Sequence, residues 1–251
     1  SLEFREVERR TLVMGMSDGA RLDKLRRASK LSTEQFHLVS TVDEGKQEDL
    51  TDNLGKALAS IGSAAPTTFT TVVVIDDFTA SGTTMLRPKR AGASAGSDAQ
   101  WEGKLVKLRR HIDDLRSAGV IAEDAEVLVL VYLMTDQARV ALEERMSDSG
   151  LAGQFSLEAV HVFGSDFPLG PDDREFLELC DKYYRDEWVD EHTLKAGSPR
   201  YGFGDSRLPL VLHHNAPNNA PPILWKQSGP AAAEPWLGLF PRHERHSSER
   251  P

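Results

Sequence analysis

The chain has 251 residues, 39% of them hydrophobic and 27% charged, with a formal net charge of −9. At ~150 residues per domain, this length allows one large α/β domain or two small ones. The acidic balance excludes a general nucleic-acid coat, which needs a positive field, so any nucleic-acid contact is expected to be indirect. The lone cysteine, Cys180, excludes an internal disulfide and a cysteine-based metal cluster, and it fits a reducing cytoplasm.

The opening stretch SLEFREVERR is charged and has no apolar core of the targeting type, so a cytoplasmic location is expected. Residues 11–16, TLVMGM, read as a short strand that runs through the turn SDGAR into LDKLRRAS. Ser32 and Gln35 match a capping box, which predicts that LSTEQFHLV opens a second helical segment. Leu50, Leu54, Ala57, Leu58 and Ile61 recur at helical spacing and predict an amphipathic helix over GKQEDLTDNLGKALASIG. A turn-rich connection, residues 64–70, leads into the strand VVVID, residues 72–76, which ends in two adjacent acids.

PKRAGASAGSDAQ, residues 88–100, is rich in Gly, Ala and Ser without apolar periodicity, and a mobile loop is expected there. Leu105, Leu108, Ile112 and Leu115 mark a helix, residues 126–134 a buried strand and residues 136–146 a helix. The longest apolar run, VLVLVYLM, is far below the ~20 residues of a membrane-spanning helix. Residues 157–163 read as a further strand, followed by GSDFPLGPDD, in which Asp166 stands like a base-contacting residue. Phe176, Leu177, Cys180 and Tyr184 share a helix face, and residues 208–214 read as a last strand. From residue 227 onward the chain is Pro-rich and non-periodic, a flexible tail in which PWLGLF is available for docking.

Short apolar strands alternating with helices predict an α/β fold with a mainly parallel twisted sheet and helices on both faces. Ligands of such sheets bind at the carboxyl ends of strands, where Asp76 and Asp77 fall. The chain contains no G-x-x-x-x-G-K-[ST] segment, which excludes a P-loop NTPase reading of those acids. An acidic receiver-type pocket leaves the hydroxyl-rich loop from Thr79 to Thr84 unexplained. Gly82 permits a tight bend, successive amides form an anion nest, and Thr79, Ser81, Thr83 and Thr84 supply hydroxyls. A helix starting after the loop would add its dipole. A phosphate monoester fits this cradle, with Asp76 and Asp77 placed toward the attached sugar. Their hard oxygens suit Mg²⁺, held through bound water.

VVVIDDFTASGTT resembles the 5-phosphoribosyl-1-pyrophosphate (PRPP) motif of type I phosphoribosyltransferases: an apolar strand, two acids, and a Ser/Thr-Gly-x-Thr loop. By this resemblance Asp76 and Asp77 take the catalytic ribose-hydroxyl role and hold Mg²⁺. Thr79, Ala80, Ser81, Gly82, Thr83 and Thr84 take the 5′-phosphate role. GMSDGARLDKLRR (15–27) and YGFGDSRLPLVLHHNAPNNAPPILW (201–225) resemble segments of the PRTase-CE family of bacterial conflict and anti-phage systems. With the central motif, the resemblance spans about residues 10–226 and implies a phosphoribosyltransferase-like domain ahead of the tail.

The family resemblance implies a pyrophosphate loop at Ser17, Asp18, Gly19, Ala20 and Arg21, with Gly19 free to take a positive φ and Arg21 as a fork-shaped donor; the same residues also read as an ordinary turn with a helix cap. His213, His214, Asn215, Asn218 and Asn219 are candidates for an acceptor pocket roofed by Trp225, or for a turn whose Asn side chains cap the backbone. Two basic segments, Arg21–Arg27 and Arg87–Arg110, are candidates to close over pyrophosphate or to be solvated surface. The implied role is an accessory or effector of a retron-like defence locus, with a protein partner from that locus. Three readings stay open: a PRPP-dependent glycosyltransferase, a non-catalytic phosphoribosyl or nucleotide sensor, and an effector that modifies nucleotides or NAD-like glycosides. No catalytic base stands out.

Overall fold

The computed structural model describes residues 1–39, 42–89, 100–188, 199–213, 216–228 and 235–241. The chain divides into two compact units, Ser1–Val162 and Phe163–Pro251. In the first, helix α1 (Leu2–Arg9) precedes strand β1 (Thr11–Gly15), helix α2 (Leu22–Ala28) and strand β2 (Phe36–Leu38). Helix α3 (Glu44–Ser60) leads to the long strand β3 (Phe69–Thr79), and β4 (Arg87–Pro88) with β5 (Trp101–Glu102) forms a small antiparallel hairpin. Helix α4 (Lys104–Ser117), strand β6 (Ile121–Thr135), helix α5 (Asp136–Asp148) and strand β7 (Ser156–Phe163) complete the series.

The five main strands form one sheet in the order β2-β1-β3-β6-β7, and the β1–β2, β1–β3 and β3–β6 pairs are parallel. This is the predicted α/β architecture. Leu12, Met14, Val72, Val74, Val127, Val129 and Val131 project from one sheet face into the main core. There they meet the i, i+4, i+8 rows Leu50, Leu54, Leu58 of α3 and Ala138, Leu142, Met146 of α5, with Leu105, Leu108, Ile112 and Leu115 of α4. The other face carries Val13, Val73 and Ile75, against which α2 packs Leu22 and Leu25. Both long helices begin on side-chain caps: Asp43 accepts from the Lys46 amide at 2.9 Å, and Thr135 from the Ala138 amide at 3.0 Å.

Three local expectations are corrected. LSTEQFHLV does not form a helix. After a single 3-10 turn, Thr33–Gln35, the chain enters β2. The reason is tertiary: Gln35 is buried and its side-chain amide donates to the carbonyls of Glu8 at 2.8 Å and Thr11 at 2.6 Å, which delivers Phe36 to its pairing with Val13. Strand β3 does not end at the acids but continues to Thr79, paired with β6 as far as Thr79 opposite Met134. Residues 208–213 form no strand. Pro209 has no N–H to give a ladder, and Leu208 is held instead by a hydrogen bond that its amide N–H donates to the Asn219 carbonyl at 3.3 Å. The loop expected at 88–100 lies mostly outside the described residues.

The second unit contains helix α6 (Arg174–Tyr183) and a cluster in which Cys180, Trp188 and Ile223 are packed by Phe176, Tyr184, Tyr201, Leu224 and Trp236. Residues 235–241 return to this cluster. Gln227 bridges Leu237, and the Trp236 indole donates to the Ile223 carbonyl at 3.2 Å. Among the described residues no helix is long and apolar enough to cross a membrane.

Candidate functional site

In a doubly wound sheet the crevice lies where strand order reverses, outside the carboxyl ends of the strands. Here that point falls between β1 and β3. Their pairing stops at Gly15 opposite Ile75, and the Met16 amide closes it with a 2.8 Å bond to the Ile75 carbonyl. Beyond it β3 keeps only β6 beside it, so Asp76 to Thr79 are flanked on the open side by the loop of residues 16–21. The predicted PRPP-type motif and the predicted pyrophosphate loop therefore meet at one place, within the first unit.

Successive strand residues leave opposite faces of a sheet, and the two acids do so. Asp76 points to the α4 face. Its side chain is 1% exposed, and the Lys104 Nζ lies 2.5 Å from Oδ2. Ser17 Oγ donates to Oδ1 at 3.0 Å. Burial pushes the Asp76 carboxyl above the usual carboxylate range, and the Lys104 charge and hydrogen bond oppose that shift. Asp77 points to the α2 face, where its carboxylate lies on the backbone of Gly19. A Cβ at Gly19 would sit 2.7 Å from the Asp77 Cγ.

Gly19 is thus required by this close approach, not by the positive φ expected of it. The left-handed residue is Arg21, with φ 48° and ψ 43°, immediately before α2. Strain of that kind in a non-glycine residue is characteristic of ligand loops. Arg21 Nε lies 3.5 Å from Asp23 Oδ1. The Tyr132 hydroxyl donates to the Ala20 carbonyl at 3.0 Å and ties the loop to β6. Of the predicted loop residues, Ser17 bonds Asp76 and Arg21 pairs with Asp23, while the Asp18 side chain lies outside the described residues.

The loop after β3 shows a one-sided hydrogen-bond pattern. The Ala80 carbonyl accepts from Thr135 Oγ1 at 2.5 Å, and the carbonyls of Ser81 and Leu86 accept from Arg145 Nη1 at 3.2 and 3.1 Å. The Gly82 carbonyl accepts from the Met85 and Leu86 amides, Thr83 from Arg87 Nη1, Thr84 from the Lys104 amide, and Met85 from the Leu105 amide. Every carbonyl from Ala80 to Leu86 is therefore satisfied from within the protein. A trans peptide holds each N–H opposite the preceding carbonyl, so the Ser81 and Gly82 amides face away from α5.

Gly82, at φ 69°, makes this turn and packs so closely on α5 that a Cβ would lie 2.9 Å from Leu142 Cγ. The Ser81 and Thr83 hydroxyls are 2.7 Å apart, and Thr84 is exposed. Thr79 is buried, and its hydroxyl has no hydrogen-bond partner among the described residues. No helix follows this loop directly. The nearest helix start is that of α4, whose first two amides are consumed by the Thr84 and Met85 carbonyls.

The PRTase-CE family model matches residues 18–242, most of the chain and both of its units. The chain belongs to the PRTase-CE family. It is a phosphoribosyltransferase-like protein, and the family name implies a small phosphoribosyl molecule as its substrate class. No curated protein and no solved structure matches the chain.

The remaining site candidates of this PRTase-CE protein lie in its second unit. Asn219 is buried and donates to the Phe203 carbonyl at 3.0 Å and to Ser206 Oγ at 3.1 Å. It clips the turn at Gly202–Ser206. The Asn218 carbonyl accepts from the Phe203 amide at 2.7 Å, His213 is exposed, and the Trp225 indole donates to the Ala220 carbonyl at 3.0 Å. His214 and Asn215 lie outside the described residues.

The donor set does not fit a Mg²⁺ ligated directly by Asp76 and Asp77 together. The two carboxylates leave β3 on opposite faces, and both oxygens of Asp76 are already engaged. Among the described residues no group of three or more His, Cys, Asp or Glu converges. Sequence reasoning included Lys104 only within the basic segment Arg87–Arg110 and missed it as the partner of Asp76. The available signal was its position: α4 opens on a lysine with no acid in its first turn, against the preference of a helix start for negative charge.

Proposed function

We propose that this PRTase-CE protein binds PRPP or another ribose 5-phosphate compound at the β1–β3 switch point. The observation that carries this reading is the loop 80–86, whose carbonyls are all bonded internally while the Ser81 and Gly82 amides face away from α5, so that the loop presents N–H and O–H donors to a ligand. Amides of Ser81 and Gly82 and hydroxyls of Ser81, Thr83 and Thr84 suit a phosphate monoester. Asp77 and the Ser17–Arg21 loop flank the sugar and its second anionic group, with the Arg21 guanidinium as the cation for the latter. If PRPP is turned over, the acceptor forms a bond to C1′ as the bond to pyrophosphate oxygen breaks through an oxocarbenium-like state. An accessory or effector role in a bacterial defence system, beside a protein partner, accords with the family.

Binding without turnover is favoured by one feature: Asp76, the buried acid of the motif, already has both oxygens engaged by Lys104 and Ser17. Calorimetric titration with PRPP, ribose 5-phosphate and unphosphorylated ribose tests the site. The two phosphorylated ligands should bind, ribose should not, and Thr83→Ala with Thr84→Ala should weaken binding. Equal affinity for ribose, or none for any of the three, would refute the reading. Pyrophosphate release from PRPP across a nucleobase and amine panel separates transferase from sensor.

A further inference from the structure

We propose that Lys104 is the resident cation of this site, taking the place beside Asp76 that a divalent metal would need, so that the phosphoribosyl ligand is bound without one. This inference rests on the phosphoribosyl reading above. Its first support is occupancy. A directly ligated Mg²⁺ demands oxygen at ~2.0–2.1 Å in octahedral geometry, and the Asp76 Oδ2 is already 2.5 Å from an ammonium nitrogen. Two cations on one carboxylate repel each other strongly in a poorly solvated site.

The second support is that the lysine is built in rather than swung in. Its backbone amide donates to the Thr84 carbonyl at 3.1 Å, and the next amide donates to Met85 at 3.0 Å. Gly103 lets α4 start this close to the loop. A Cβ there would lie 2.8 Å from the Met85 carbonyl carbon. The main chain that carries Lys104 is thereby fastened to the loop that cradles phosphate. A cation at a helix start is disfavoured by the dipole, so the Asp76 pair accounts for its position.

The third support is its remaining capacity. An ammonium has three N–H donors, one of which goes to Asp76. The Lys104 side chain is 31% exposed whereas that of Asp76 is 1% exposed. The lysine side chain is therefore partly open to solvent, whereas the carboxylate it pairs with is not. Asp76 holds the lysine in place, and the lysine presents its charge to ligand oxygen.

The test is titration of the whole chain with ribose 5-phosphate and with PRPP, in EDTA and in Mg²⁺, joined to Mn²⁺ binding followed by electron paramagnetic resonance without ligand. The wild type should bind ribose 5-phosphate within about threefold the same affinity in EDTA and in Mg²⁺, and should leave Mn²⁺ free. Lys104→Met, which keeps the apolar stem, should lose about tenfold or more in EDTA, roughly 1.4 kcal/mol. The same variant should bind Mn²⁺ and regain ligand affinity in Mg²⁺, while Lys104→Arg stays metal-independent. Circular dichroism of each variant confirms that it folds. Wild-type binding that needs Mg²⁺, or Mn²⁺ bound by the wild type and lost in Asp76→Asn, overturns the Lys104 role and leaves the phosphoribosyl reading standing. No binding of either ligand under any condition overturns both.

Discussion

Lys104→Ala isolates the buried pair at the centre of the site. It leaves the Asp76 carboxylate, 1% exposed, with Ser17 as its remaining polar partner. Removing one member of a fully buried pair costs about 3–5 kcal/mol. Because nearly a third of the Lys104 side chain is in solvent, part of its attraction is screened, and about 2 kcal/mol is the expected loss at pH ~8. For a protein of this size that lowers Tm by roughly 4–8 °C. The sign with pH follows from the direction of the Asp76 shift. Its folded pKa is raised, so between the unfolded and folded values the native state holds more protons, and stability falls as pH rises through that window. Without Lys104 the shift grows and the window widens upward. The deficit of the variant should therefore be largest at pH ~8 and shrink toward pH ~3, below the ordinary aspartate value of ~3.9, where the carboxyl is largely protonated in both states. Thermal melts followed by circular dichroism at both pH values measure this, and in an Asp76→Asn background the lysine substitution should cost less than about 0.5 kcal/mol. A Tm drop that is the same at both pH values, or undiminished by Asp76→Asn, would refute the buried-pair reasoning.

Thr79→Val replaces an orphaned buried hydroxyl with a methyl of similar shape, so the ligand-free protein should melt at the same temperature or higher, by up to about 1 kcal/mol. If the hydroxyl waits for a ligand, calorimetry should show weaker ribose 5-phosphate binding in the same variant. Gly19→Ala drives a methyl into the Asp77 carboxylate and should destabilise by about 1–3 kcal/mol in urea unfolding. Asp77→Ala should recover most of that loss, and an additive double variant would show that the clash is not the cause. The Cys180 thiol is pushed up to about 11 by burial and by the neighbouring Asp181, so iodoacetamide at pH ~8 should label it only as fast as the second unit opens. Labelling at the rate of a free thiol under native conditions would contradict the packing around Trp188.

The elements legible in the sequence were those whose cause is local. Val72 to Ile75 is β-branched and continuous, and Leu50, Leu54 and Leu58 repeat with the helix period, so α3 and the central part of β3 stand where the pattern puts them. The capping box at Ser32 and Gln35 was also legible, but its consequence was not. Gln35 is drawn into hydrogen bonds with Glu8 and Thr11, about 25 residues away in sequence, and that distant demand turns a helix start into a strand entry. Residues 208–213 failed for the converse reason: apolar content was present, but Pro209 removed a donor. The cradle at 79–84 could be read from its hydroxyls and glycine. What fixes it, Arg145 of α5, Thr135 at the end of β6 and the first amides of α4, lies about 20 to 64 residues downstream.

The two acids show most clearly where a motif and its physics part. Adjacent in sequence, they read as a pair aimed at one ligand. In a strand, neighbours face opposite ways, and β3 keeps its pairing with β6 through Thr79, so no twist at a strand end brings them together. Each acid must then find its own partner on its own face. Asp76 finds Lys104, which makes that side of the site neutral overall and positive toward solvent. Asp77 lies on the Gly19 backbone, which leaves no room for any other residue there. A phosphate cradle whose nearest acid is already neutralised attracts an anion more strongly than one with two bare carboxylates. The geometry that argues against a shared metal is therefore the same geometry that favours a phosphorylated ligand.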